Sequence, residues 1–252
     1  MNPIVTNYRV KCSQASDINR HLPTLYRYAR RSEVIAEFGV RGIVSTWAFL
    51  RGLLENGSQT KELICVDIAD VPEMEQVRTL AGHNGIRLTF HQHDSATCVI
   101  PEVDLLFVDT WHVYGHLKRE LNNHCEHVRK YILMHDTELD GILGESRRFG
   151  WNIKKQAEQS GYPEEEIACG LQRAISEFLA KHSQWRLIRR YRHCCGLTIL
   201  ARSSNVRITP LDRTIASVQN SESYCNLRNY LSRMYRSGGK RRSAQEADPG
   251  RG

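Results

Sequence analysis

The sequence predicts an α/β fold: a doubly wound, mostly parallel sheet with helices on both faces and a C-terminal antiparallel hairpin. Three observations predict it. From residue 34 onward, apolar runs of strand length alternate with segments of helical period, the pattern of successive βα units. The first run ends in a glycine turn, Gly39-Val40-Arg41-Gly42. Later runs end in acids, at Asp67, Asp109 and His135-Asp136. Open α/β sheets hold their ligands beyond the carboxyl ends of the strands, so these acids occupy the expected rim.

Taken in order, residues 1–16 read as an irregular lead-in. From Asp17 the apolar residues Ile18, Leu22, Leu25, Tyr26 and Ala29 recur at helical spacing behind an acid suited to an N-cap. Val34–Phe38 is the first strand. Ser45-Thr46 read as the cap of an apolar helix through Trp47, Leu50 and Leu53. A second strand at 63–67, a helix at 71–82 and a third strand at 87–90 follow. The unit repeats with a strand at 104–109, a helix at 112–129 and a strand at 131–134. Residues 138–168 are polar, glycine-containing and largely irregular, with one helix near 151–160. A helix at 170–181 leads to two runs, Trp185–Tyr191 and 196–201, that read as the antiparallel closing pair.

A chain of 252 residues supports one sizeable domain with a short appendage. Its hydrophobic and charged fractions, 40% and 25%, are those of a water-soluble globular protein. No apolar run approaches membrane length, and the first thirty residues lack the continuous apolar stretch of a signal peptide. A cytoplasmic protein is expected. Eight cysteines are scattered without a Cys-x-x-Cys pair, which argues against structural zinc and a disulfide framework. The net charge of +7 is unevenly spread. Residues 203–252 hold nine Lys/Arg against four Asp/Glu, so only +2 belongs to the rest. The domain is therefore expected over 17–202. A basic, largely disordered tail with one amphipathic segment at 224–235 should follow it.

The glycine turn discriminates between cofactors. A dinucleotide fold would offer three glycines in G-x-G-x-x-G and helix N–H groups to a pyrophosphate. Here only Gly39 and Gly42 are present, and Glu37 stands just before them. A carboxylate repels a pyrophosphate and attracts an ammonium or a sulfonium. The local chemistry favours S-adenosylmethionine (SAM) over a nicotinamide dinucleotide. Asp67, ending the second strand, can accept both ribose hydroxyls, and Asp94 in His91-Gln92-His93-Asp94 is placed to meet an adenine edge. Glu37, Gly39, Gly42, Ser45, Asp67 and Asp94 are the cofactor-binding candidates.

Four segments also carry a family resemblance. They are Ser16-Asp17-Ile18-Asn19-Arg20-His21-Leu22-Pro23-Thr24-Leu25, the turn at 37–42 with Ser45-Thr46, the run from Leu105 to Tyr114, and Tyr131-Ile132-Leu133-Met134-His135-Asp136-Thr137. Together they resemble class I SAM-dependent methyltransferases similar to the macrolide-sugar O-methyltransferases and the cephalosporin-hydroxylase-like proteins. The resemblance spans 16–202. It implies a Rossmann-like methyltransferase fold, methyl transfer from SAM to a hydroxyl of a small molecule or sugar, and a divalent metal held by acids at the rim.

Asp109 and Asp136, on adjacent strand ends, form an oxygen-ligand pair suited to Mg²⁺. His135 stands where some relatives carry an acid; with imidazole among the ligands Mn²⁺ or Fe²⁺ becomes the better fit. The metal candidates are thus Asp109, His135 and Asp136. The catalytic candidates are Asp109, His112 and Asp136, with His112 as general base or metal neighbour. His116 reads as structural, and His124 and His127 as surface residues. Trp111 and Tyr114 line a pocket or the core. His193-Cys194-Cys195 replace the asparagines that relatives tend to carry at the last turn, so acceptor recognition should differ. Two other functions fit the sequence: an RNA-modifying methyltransferase that holds phosphates with its basic tail, and a non-catalytic module that binds a partner or a second copy of itself.

Overall fold

The computed structural model describes residues 2–204. The amphipathic segment at 224–235 and nearly all of the basic tail lie outside the described residues. The sheet has seven strands: β1 (Val34–Phe38), β2 (Glu62–Asp67), β3 (Arg87–Gln92), β4 (Val103–Val108), β5 (Val128–His135), β6 (Trp185–Tyr191) and β7 (Leu197–Arg202). Their order is β3-β2-β1-β4-β5-β7-β6. The first five run parallel, and β7 is antiparallel to both β5 and β6. This is the doubly wound sheet with a closing hairpin that the alternation predicts.

Alternate residues of the central strands point to opposite faces, and both faces are covered. Ile35, Leu63, Leu105, Phe107 and Leu133 pack with α1 (Pro3–Ser13), α2 (Leu22–Ala29), α3 (Ser45–Leu54) and α4 (Met74–His83). Ala36, Phe38, Ile64, Leu106, Val108 and Ile132 pack with α5 (Tyr114–His124) and α9 (Leu171–Lys181). Burial on both sides is why these strands read as continuous apolar runs rather than as alternating ones.

Two expectations about the N-terminal region need correction. Residues 1–16 are not an irregular lead-in, because Pro3–Ser13 is α-helix. The side chain of Asn2 caps it by accepting from the Ile4 N–H at 2.9 Å, and Ile4 and Tyr8 are buried. Two apolar contacts one turn apart give too weak a period to stand out in the sequence. The helix after Asp17 is also shorter than predicted. A 3₁₀ turn at Asn19–His21 precedes α2, whose first turn carries Pro23, where a missing N–H costs nothing.

The segment between β5 and α9 contains three short helices: α6 (Glu145–Phe149), α7 (Ile153–Ser160) and α8 (Glu164–Ala168). Its first part crosses the carboxyl end of the sheet, with the Glu145 N–H donating to the His112 carbonyl at 3.0 Å. No helix of the described residues is long and apolar enough to cross a membrane.

Candidate functional site

The strand order reverses between β1 and β4, and the chain leaves both strands at this switch point. Gly39 adopts φ +83°, and a Cβ there would lie 2.1 Å from the Asp109 carbonyl oxygen. Only glycine allows the turn after β1 to press this closely on the end of β4. The glycine therefore serves the joint between the cofactor turn and Asp109. Asp67 strengthens the same corner. One of its carboxylate oxygens accepts from the Val40 N–H at 2.8 Å and the other from the Ala69 N–H at 3.0 Å.

Glu37 is fully buried on the α3 side of the sheet. Ser45 donates to one of its oxygens at 2.5 Å, and the Cys65 thiol faces the other at 3.5 Å. Ser45 thus supports Glu37. It does not cap α3, whose N-cap is Val44. Burial pushes the Glu37 carboxyl up to about 7, against the opposing hydrogen bonds from Ser45, Thr46 and Cys65. Asp94 turns one oxygen inward to the Ala96 N–H at 2.8 Å, shaping the loop after β3. Exposed Ile68 follows Asp67 directly. It is an apolar surface beside the cofactor candidates that the sequence reading passed over.

At the ends of β4 and β5 the charged side chains converge. His112 Nε2 lies 3.2 Å from an oxygen of Asp109 and 3.2 Å from one of Asp136, while its Nδ1 faces Glu145 at 3.1 Å. Burial opposes charge on this ring, but the three carboxylates prevail and raise its pKa well above the usual histidine range. His135 Nε2 donates to the Cys194 carbonyl at 3.0 Å, and its Nδ1 meets Asp109 at 3.1 Å. Burial again opposes the charge, and Asp109 and Asp136 lift His135 to about 9. Burial would raise Asp109; the two imidazoles outweigh it and hold the carboxyl well below the ordinary range. Asp136 moves the other way, raised chiefly by its burial.

Four groups around this cluster were not singled out from sequence. Glu145 holds His112. Asp140, fully buried, lies 3.8 Å from His112 Nδ1 and is gripped by Arg148 through two hydrogen bonds of 2.5 and 2.8 Å. His21, also fully buried, stacks on His193 and donates through Nε2 to the carbonyls of His193 and Cys194. Burial lowers its pKa to about 4, so it stays neutral. Nothing local marks Asp140, Glu145 or Arg148, which lie in the least patterned stretch of the chain. The backbone at Cys194 and Cys195 is left-handed, with φ of +43° and +62°. Both cysteines are free thiols.

The donor set fits a divalent cation. Ligand atoms of Asp109, His112 and Asp136 all lie within 4.8 Å of one another. Asp136 adopts φ +54°, and its Oδ1 is buried without a hydrogen-bond partner. His135 reaches the same oxygens: its Nδ1 lies 3.1 Å from Asp109 and 3.7 Å from Asp136, while its Nε2–H is held by the Cys194 carbonyl, the arrangement that orients a metal-binding imidazole.

Other sequence readings change here. His116 is structural as expected, meeting Ser95, Glu120 and Tyr162. His124 is buried rather than exposed, with Nε2 donating to the Ser95 carbonyl at 2.7 Å. Tyr114 belongs to the core against α9, its hydroxyl donating to Glu177 at 2.7 Å. Trp111 does line the rim, stacked on Tyr162 and donating to Ser146 at 3.2 Å.

No family model and no curated protein matches this chain. Solved structures do. Cofactor-bound Rv0187 from MTB aligns over 81% of this chain and 91% of its own at 12% identity, with a TM-score of 0.51. An O-methyltransferase from Bacillus cereus in complex with SAH covers 79% and 90% at 12% identity, TM-score 0.49. The O-methyltransferase TomG from Streptomyces achromogenes, involved in tomaymycin synthesis and solved with SAM, covers 75% and 82% at 15% identity, TM-score 0.48. Likeness at these identities is likeness of fold. The strand order with β7 reversed is that of the Rossmann-like methyltransferase fold.

Proposed function

We propose that the chain transfers the methyl group of SAM to a hydroxyl of a small molecule. One observation carries the reading. The cofactor turn at Gly39 and the acid-imidazole cluster at Asp109 are built against each other, so a cofactor in the first would present its reactive end to the second. The fold shared with cofactor-bound Rv0187 supports the same reading.

Bound SAM supplies an electrophilic methyl on a sulfonium. Asp67 would receive the ribose hydroxyls with the lone pairs its two backbone bonds leave free, Asp94 would meet the adenine edge, and Glu37, ionised beside a sulfonium, would set a negative potential beneath the turn. Asp109 and Asp136 would hold Mg²⁺ or Mn²⁺, which would lower the pKa of the acceptor hydroxyl. A divalent ion there would supply the positive charge that these acids otherwise draw from the His112 imidazolium. Nε2 can then take the hydroxyl proton while Nδ1–H stays on Glu145. The Cys194 carbonyl fixes the ring of His135, whose Nδ1 steadies Asp109. Holding oxygen, methyl carbon and sulfur in line supplies much of the rate.

Titration calorimetry with SAM tests this. Wild-type protein is expected to bind SAM, with Asp67→Ala weakening the affinity at least about tenfold, the loss of one or more ribose hydrogen bonds. A well-folded protein that takes up no SAM ends the proposal.

A further inference from the structure

Eight large hydrophobic side chains are exposed among the described residues, and five of them fall between 139 and 151: Leu139, Ile142, Leu143, Phe149 and Trp151. Such a concentration marks a binding surface, whereas single exposed apolar residues are ordinary. A chain of contacts places it at the mouth of the candidate site. Trp151 stacks on Phe149 at 5.0 Å and 18°. The Arg148 guanidinium lies 4.1 Å from the Phe149 centroid and grips Asp140, and Asp140 lies 3.8 Å from His112. Phe149 is thus sandwiched between Arg148 and Trp151. Trp151, 47% exposed, and Ile142, 74% exposed, are left to meet a ligand.

The chemistry of this surface selects among acceptors. A pyranose laid on an indole face needs side-chain donors and acceptors around its hydroxyls, and the ring shown against Trp151 is Phe149, with Leu139, Ile142 and Leu143 the other exposed side chains of large size in the segment. A phosphate-bearing acceptor would face Asp109, Asp136, Asp140 and Glu145. Arg148 is spent on Asp140, and His112 and His135 are already paired with Asp109 and Asp136, which leaves exposed Arg147 to offset the acids. A flat, uncharged, apolar body suits the surface, and its hydroxyl can reach the acids behind it.

We propose that residues 139–151 form the acceptor subsite and that the acceptor is a hydroxyl compound with a flat apolar body, such as a fused aromatic ring. The fate of that hydroxyl rests on the methyl-transfer reading; the binding surface does not.

The probe is 2-naphthol, followed by saturation-transfer NMR on the full chain without SAM. Methyl glucopyranoside, a short RNA and phosphatidylcholine vesicles serve as competing ligand classes. Naphthol is expected to bind the wild type, and Phe149→Ala/Trp151→Ala to weaken it at least about tenfold with SAM affinity unchanged. Ile142→Glu, at a mostly exposed position, should also weaken naphthol binding and covers the case in which the double variant fails to fold. Naphthol binding that neither substitution touches overturns the proposal. So does Trp151-dependent binding of the glucoside, the RNA or the vesicles in place of naphthol. Trp151-dependent naphthol binding by a chain that ignores SAM would retain the subsite and remove the methyl-transfer reading.

Discussion

Asp104 and Asp109 stand at opposite ends of β4, and their surroundings share nothing. Asp104 is buried at the amino edge of the sheet. It accepts from the Glu33 N–H at 2.7 Å and pairs with Arg129 at 2.9 Å and Lys130 at 3.3 Å. Every partner there is a fixed donor or a permanent cation. Asp109 at the carboxyl edge meets two imidazoles, and beside it Asp136 keeps an unpartnered buried oxygen. One edge neutralises its acid permanently. The other uses groups whose charge can change, which is what proton transfer and cation binding demand.

Exchanging the two acids for alanine probes that contrast hardest. Asp109→Ala should cut methyl transfer by about 10³-fold or more, the scale of a lost metal or charge contact in a transition state. Asp104→Ala should act on stability instead, costing about 1–3 kcal/mol by leaving the Glu33 N–H without its acceptor and loosening Arg129 and Lys130, with the turnover of the folded fraction intact. Equal loss of turnover in both variants would erase the distinction.

Gly39→Ala tests the joint between the two halves of the carboxyl edge. The added methyl collides with the Asp109 backbone and forces a left-handed residue, so a loss of about 1–3 kcal/mol is expected. Because Asp109 itself is displaced, turnover should fall along with SAM affinity. A drop in affinity alone would mean that the glycine serves only the cofactor.

The last effect, spread over a pH range, concerns Glu37. Its carboxyl sits at about 7 in the folded chain against an ordinary 4.5. Below 4.5 the group is protonated in both states, and its contribution to stability is fully present. As pH rises toward 7 the unfolded chain ionises first, so that contribution drains away, by roughly 3 kcal/mol in all, and is gone above 7. Thermal unfolding of ligand-free Glu37→Gln should lack this slope between pH 4.5 and 7. An unchanged slope would place the titration elsewhere.

The reading of sheet, hairpin and rim from sequence succeeds where the signal is local. Val103–Val108 reads as a strand because every residue is apolar or paired at the edge, and Gly39 announces a turn wherever it lies. His124 misleads for the opposite reason. It occupies a polar helix, and only the fold brings the Ser95 carbonyl against its ring. The setting of His135 has the same origin, since the Cys194 carbonyl that fixes its ring arrives from a distant hairpin.

The sequence by itself determined the seven strands in chain order, the glycine that lets β1 and β4 meet, and the acids that end their neighbours. Periodicity and φ preference belong to a residue and its near neighbours, so these features survive without a third dimension. Tertiary structure alone decided that Glu37 is buried on Ser45, that Glu145 and Asp140 join His112 at the acid cluster, and that exposed apolar residues gather between 139 and 151. Those outcomes depend on which distant groups share a charge, a proton or a surface, and only the closed fold sets that.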